Sequence, residues 1–216
     1  MGRFFIGITG ASGHAYSTAL VRELVRAGHD VDLSITDAGA KVMAHELGVD
    51  PGPGGRDLEA CLDEWLGQET AASVRAFPGE AVESPAASGS ALTGAVILAP
   101  CSMGTLARVT HGFSSNLVER AADVALKEGR TLLVMPRETP LSEVHLSNML
   151  QLARMGAAIL PCTPGFYLHP KTLDDLVHFV VAKALDRLGV EHGLGARWGE
   201  SEPPEEVGIH HPGGPA

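Results

Sequence analysis

The sequence predicts a single α/β domain, a three-layer sandwich around a mostly parallel sheet. Three observations predict it. Short apolar runs alternate with stretches of helical spacing along most of the 216 residues. Runs such as AVILA (95–99) and TLLVM (131–135) are continuous rather than alternating, as strands buried on both faces require. The stretches between runs suit crossover helices, which join parallel strands with a right-handed turn. The layout is Rossmann-like.

Residues 4–8 form the first strand, which enters a turn carrying Gly7, Gly10 and Gly13. A helix over 15–27 follows, with Ala19, Leu20, Leu24 and Val25 on one side. The second strand is 31–35. Thr36 or Asp37 caps the next helix, which carries Val42, Met43 and Leu47. DPGPGG (50–55) reads as a loop that would tolerate insertion, and 74–77 as a short strand. Strand 95–99 precedes a helix at 115–128. Strand 131–135 precedes a helix at 142–155, and AAIL (157–160) precedes a last helix at 172–188. The folded domain spans 1–192. Residues 193–216 hold six glycines, four prolines and four glutamates, a tail that does not fold alone.

Composition narrows the function. Apolar residues at 44% and charged residues at 19% exclude a disordered chain. Aromatics at 5% argue against a base-stacking platform, and a net charge of −10 against a polyanion-binding surface, so no nucleic-acid partner is expected. A local basic pocket is still open. Cys61, Cys101 and Cys162 are too far apart in sequence for a disulfide framework or a CxxC metal site; free thiols in the cytoplasm are expected. The ten histidines show no HExxH or HxH spacing, so no metal is expected. No apolar run has secretory or membrane-spanning length, so neither export nor a membrane partner is expected.

Three stretches carry chemistry. TGASG follows the first strand, where ligands of open α/β sheets bind; a tight turn without ligand is the alternative. No acidic residue ends the second strand to read a ribose, and Thr36 stands there instead, which disfavours NAD. PCSMGT (100–105) places Ser102 and Thr105 at a helix start, to cap it or to hold a phosphate. Five of the 16 basic residues fall between 108 and 137: Arg108, Arg120, Lys127, Arg130 and Arg137. Arg120 and Lys127 share a helix face, although Asp123 could pair with Lys127. Arg137 and Glu138 end a strand in PRETP, where a charged pair is hard to explain as a solvated face. Tyr167 and Lys183 complete the set; Lys183 borders the stripe Leu176, Val180, Ala184 and could snorkel. Cys101 reads as a small buried residue.

These residues resemble the UbiX-type flavin prenyltransferases, whose flavin-binding fold is shared with cysteine decarboxylases. The resemblance rests on GITGASG, ASGS (87–90), PCSMGT, NLVERAADVALKEGR, PRETPLSEVHLSNML, GAAILPCTPGFY and RWGE, in that order. It implies transfer of a dimethylallyl group from dimethylallyl monophosphate to N5 and C6 of reduced FMN, without a metal. The prenylated FMN would serve a UbiD-type decarboxylase. It implies FMN contacts from Gly10, Ala11, Ser12, Thr36, Ser102, Met103, Gly104, Thr105 and Arg137. It implies a prenyl-phosphate site from Ser90, Arg120, Lys127, Arg137, Tyr167 and Lys183. Ser12, Glu46, Glu138 and Tyr167 take catalytic roles, the first three in proton handling. A homo-oligomer, by resemblance a dodecamer, is expected. Thr36 stands where serine is usual, His14 replaces a small apolar residue, and Val82 stands near where some members place tryptophan. An FMN-dependent decarboxylase of the same fold and a non-catalytic flavin-binding subunit are the rivals. PCSMGT and the charged PRET disfavour the former, the retained basic set the latter.

Overall fold

The computed structural model describes residues 2–85, 88 and 94–194. Six strands form one sheet: β1 (Arg3–Ile8), β2 (Asp30–Ile35), β3 (Val74–Phe77), β4 (Ala95–Cys101), β5 (Thr131–Pro136) and β6 (Ala158–Ile159). Their order is β3-β2-β1-β4-β5-β6, and every pairing is parallel. The helices are α1 (His14–Arg26), α2 (Asp37–Leu47), α3 (Leu58–Leu66), α4 (Gln68–Ala71), α5 (Met103–Thr110), α6 (Leu117–Lys127), α7 (Glu143–Arg154) and α8 (Leu173–Leu188).

The absence of alternation now has its cause: both faces of the sheet are covered. Phe4, Ile6 and Ile8 of β1 point to one face, with Leu20, Val21 and Leu24 of α1, Met43 of α2, Leu58 and Leu62 of α3, and Val181 and Leu185 of α8. Phe5 points to the other, with Leu106 of α5, Val118 and Ala122 of α6, and Leu152 of α7. A Cβ at Gly7 would stand 2.6 Å from Val118 Cγ1, so this strand position must be bare for α6 to lie this close.

The caps also follow from sequence. Thr36, not Asp37, caps α2, its hydroxyl accepting the Gly39 amide at 3.1 Å. Ser102 caps α5, Asn116 α6, Ser142 α7 and Thr172 α8.

Three expectations are corrected. DPGPGG is not a free loop: Pro53–Gly55 is a 3₁₀ turn with Gly55 buried, and a Cβ there would lie 2.4 Å from Ile35 Cγ2. The Gly79 amide also donates to Gly54 O at 2.8 Å, so the segment is packed over the end of β2. The stretch 58–71, read as no element, forms α3 and α4, anchored by Leu58, Leu62 and Trp65. Asp123 pairs with Arg120 at 3.3 Å and Lys127 with Glu128 at 2.7 Å, so the i,i+4 pair is not formed. The proposed tail beyond Leu194, with Trp198, lies outside the described residues.

Candidate active site

The strand order reverses between β1 and β4, and parallel sheets bind ligands in the crevice at such a point, beyond the strands' carboxyl ends. The turns after these two strands flank it. Thr9, fully buried, locks them together: its hydroxyl donates to Pro100 O at 2.8 Å and accepts the Ser102 amide at 2.7 Å. The sequence reading did not single out Thr9. Its one signal was its place directly before Gly10.

Gly10 has no room for a side chain: a Cβ would fall 2.5 Å from Ala38 Cβ at the start of α2. Ala11 is buried and Ser12 exposed. Opposite, the Ser102 hydroxyl donates to Thr105 Oγ1 at 3.1 Å. Met103 is buried in the core, so it offers a ligand only its backbone. Gly104 is exposed, and a Cβ there would meet nothing closer than the Arg108 guanidinium at 3.6 Å. The first turn of α5 therefore shows bare backbone to the crevice, beside hydroxyls and a cation. Such a donor set fits a phosphate-bearing group like FMN.

Behind α5, Arg108 Nη2 donates to Thr105 Oγ1 at 3.4 Å, and Arg108 Nε donates to Glu119. Glu119 is fully buried, and its carboxylate also accepts the Ser115 amide at 2.9 Å. Burial pushes this carboxyl up, but the Arg108 and Ser115 bonds outweigh it and hold it below the usual carboxylate range. The sequence reading noted Arg108 only as one of the basic residues.

Arg137, at the end of β5, reaches back across the sheet, and its Nε donates to Ser12 O at 3.2 Å. Glu138 is exposed; its carboxylate accepts the Thr139 amide at 3.1 Å, and it makes no ion pair with Arg137. Glu46, on α2, caps the start of α1: Oε2 accepts the Gly13 and His14 amides, each at 3.0 Å, and the Ser12 side chain lies beside the carboxylate. Partial burial raises its pKa. The Ser12, His14 and Gly13 hydrogen bonds more than cancel that, so it sits below the usual carboxylate range.

Gly10, Ala11, Ser12, Thr36, Glu46, Ser102, Met103, Gly104, Thr105 and Arg137 thus gather at one edge of the sheet. The phosphate candidates do not all join them. Arg120 lies one turn into α6. Lys127 is ten residues from the start of α6, about 15 Å along it, at the edge where β5 begins. Lys183 is exposed, well down α8, with its ammonium 3.8 Å from Asp186. Tyr167 is about half exposed, its ring edge-on to Phe179 of α8 at 5.6 Å. Ser90 lies outside the described residues. Among the described residues no three His, Cys, Asp or Glu side chains gather as a metal site, and no helix is long and apolar enough to cross a membrane.

Residues 2–185 match the family model described as Flavoprotein. The flavin prenyltransferase UbiX of Halalkalibacterium halodurans is 49% identical over 199 residues, 92% of this chain and 94% of that one. The crystal structure of AnUbiX (PadA1), in complex with FMN and dimethylallyl pyrophosphate, superposes with a TM-score of 0.81 at 33% identity, covering 93% of this chain and 99% of that one. A dodecameric FMN-dependent Ubix-like decarboxylase from Escherichia coli O157:H7 gives a TM-score of 0.75 at 40% identity, covering 88% and 96%.

Proposed function

The chain belongs to the flavoprotein family, as one of its UbiX-type flavin prenyltransferases, and on that premise we propose how its side chains divide the reaction. The enzyme transfers a dimethylallyl group from dimethylallyl phosphate to reduced FMN, and the prenylated FMN serves UbiD-type decarboxylases. Reduced FMN supplies the nucleophilic N5 and the C6 that closes the new ring.

Gly10, Ala11, Ser12, Thr36, Ser102, Met103, Gly104 and Thr105 hold the flavin through bare backbone and hydroxyls. Arg137 braces the first turn and faces the phosphates. Ser12 passes a proton to or from Glu46, whose carboxylate lies beside its side chain. Glu138 exchanges a proton at the reacting centre. Its carboxylate is not spent on Arg137, and this observation carries the catalytic assignment. Ser90, Arg120, Lys127, Tyr167 and Lys183 hold the prenyl phosphate, with the cations offsetting the charge of the departing group. Lys127 sits at the far edge from its own chain's turns, so it serves a neighbouring copy. The dodecameric relative supports an oligomeric enzyme. The three free cysteines support a cytoplasmic setting. A decarboxylase of the same fold and a non-catalytic flavin subunit are not favoured.

The test is incubation with reduced FMN and dimethylallyl monophosphate, followed by mass spectrometry of the released flavin. The expected product carries one added dimethylallyl group; unchanged FMN overturns the assignment.

A further inference from the structure

His14 is the first residue of α1, where the resemblance leads one to expect a small apolar side chain. Its ring is fully buried, and neither Nδ1 nor Nε2 has a hydrogen-bond partner. Native proteins rarely leave buried polar atoms so, and each such case asks for a reason. The surroundings supply one. The backbone carbonyls of Thr9 and Ala11 and the carboxylate of Glu46 lie near the ring, and the His14 amide donates to Glu46 Oε2 at 3.0 Å. All of these are acceptors. A neutral imidazole has one N–H and one lone pair, so one nitrogen must face an acceptor empty-handed; imidazolium has two donors and a charge that matches Glu46. Burial opposes that charged form and lowers the pKa of His14 below 6.5, while Glu46 and the two carbonyls pull it back. Glu46 is the one charged group, among the described residues, that acts on the ring. Arg137 reaches the turn at Ser12 O.

We propose that His14 is a positioning residue for proton transfer at Ser12 and Glu46. With a proton on the ring, His14 binds the Thr9 and Ala11 carbonyls and pairs with Glu46, whose carboxylate is then too stabilised to accept a proton from Ser12. Without it, Glu46 is free to exchange. This inference rests on the reading of Ser12 and Glu46 as proton carriers.

The test is single-turnover prenylation of reduced FMN from about pH 5 to pH 9, with FMN affinity measured in parallel, for wild type, His14→Ala and Glu46→Gln. His14→Ala places at this position the small apolar residue that the resemblance implies. Wild type loses rate on the acid side with a midpoint below 6.5. In His14→Ala this limb disappears, so the rate retained at the acid end rises at least about threefold relative to wild type, the equivalent of half a pKa unit. KM for dimethylallyl monophosphate stays unchanged. An identical acid limb in His14→Ala, with Glu46→Gln impaired, overturns the proposal alone. An unimpaired Glu46→Gln overturns the proton-carrier reading and the proposal with it. Should His14→Ala fail to fold, NMR titration of the His14 ring in wild type and Glu46→Gln decides. A midpoint lower by about half a unit or more in the variant supports the coupling, and an unchanged midpoint overturns it.

Discussion

Arg137 Nε donates to the carbonyl of Ser12 at 3.2 Å, closing a link across 125 residues of chain. Arg137 ends β5 and Ser12 lies in the turn after β1, with β4 between the two strands. The turn is thus gripped on two sides, the Ser12 carbonyl by Arg137 and the Gly13 amide by Glu46. A site that must orient two small molecules gains most from such fixed geometry.

Arg137→Ala removes this link and the cation that we propose faces the flavin phosphate. A hydrogen bond to a charged group contributes about 1.5–3 kcal/mol, so FMN binding should weaken about 10- to 150-fold. Arg137→Lys keeps the charge but not the Nε donor, and should recover only part of the loss. Flavin fluorescence titration reads both, and an affinity for Arg137→Ala within about twofold of wild type would contradict the brace.

Gly10→Ala and Gly104→Ala separate packing from ligand approach. At Gly10 the new Cβ would fall 2.5 Å from Ala38 Cβ, so the turn or the start of α2 must shift. Overpacking of this kind costs about 1–3 kcal/mol, and both stability and FMN affinity should fall. At Gly104 the Cβ would meet only the Arg108 guanidinium, at an ordinary contact distance of 3.6 Å, so the melting temperature should hold while FMN affinity drops. An unchanged affinity in Gly104→Ala would show that the cofactor does not approach the first turn of α5.

How far the sequence reaches is clear from particular residues. Strands β1, β4 and β5 were legible because both faces of each are buried, which leaves continuous apolar runs. The turns after β1 and β4 were legible because close-packed backbone needs glycine and a helix start needs a capping hydroxyl. Helix α3 was missed because its apolar side, Leu58, Leu62 and Trp65, is thin among charged neighbours. The pairing of Asp123 with Arg120 rather than Lys127 could not be read, since both spacings are allowed on a helix. Thr9 went unseen because its role is a bond to Pro100 and Ser102, some ninety residues away in sequence. His14 was visible only as a departure; its burial and orphaned nitrogens depend on how α1 meets the turn.

Glu119 should make stability depend on pH. Its folded carboxyl lies below the ordinary 4.5, because the Arg108 and Ser115 bonds outweigh burial. The folded state therefore binds fewer protons than the unfolded one in this range. Its contribution is present above 4.5 and is lost as pH falls through the lower folded value. Glu119→Gln should cost about 1–2 kcal/mol at neutral pH, lowering the melting temperature by about 2–8 °C. The gap should narrow in acid, and a gap that is constant with pH would remove the ionic explanation.

Lys127 allows a direct test of shared sites. Lys127→Ala and Glu138→Gln should each be nearly inactive as homogeneous oligomers. If Lys127 serves a neighbour's turn, co-expressed mixtures contain some sites with both residues intact and regain part of the wild-type rate. If both residues act within one chain, no mixture exceeds the sum of its parts.

The last prediction concerns Glu138 itself. A carboxylate after Arg137 had two candidate roles, orienting the guanidinium or moving a proton. The structure gives Arg137 another acceptor in the Ser12 carbonyl, while Glu138 accepts the Thr139 amide and remains exposed at the crevice edge. Orientation of Arg137 is therefore the weaker account. Glu138→Gln keeps the size of the side chain and an acceptor for Thr139, and cannot exchange the proton. The variant should fold, bind FMN and bind dimethylallyl monophosphate normally. A positioned acid or base contributes about 10²- to 10⁴-fold, so prenylation should slow by at least about 100-fold, in kcat rather than KM. Stopped-flow absorbance of the reduced flavin measures the step. A rate within about threefold of wild type ends the acid–base assignment, and loss of FMN affinity returns Glu138 to the service of Arg137.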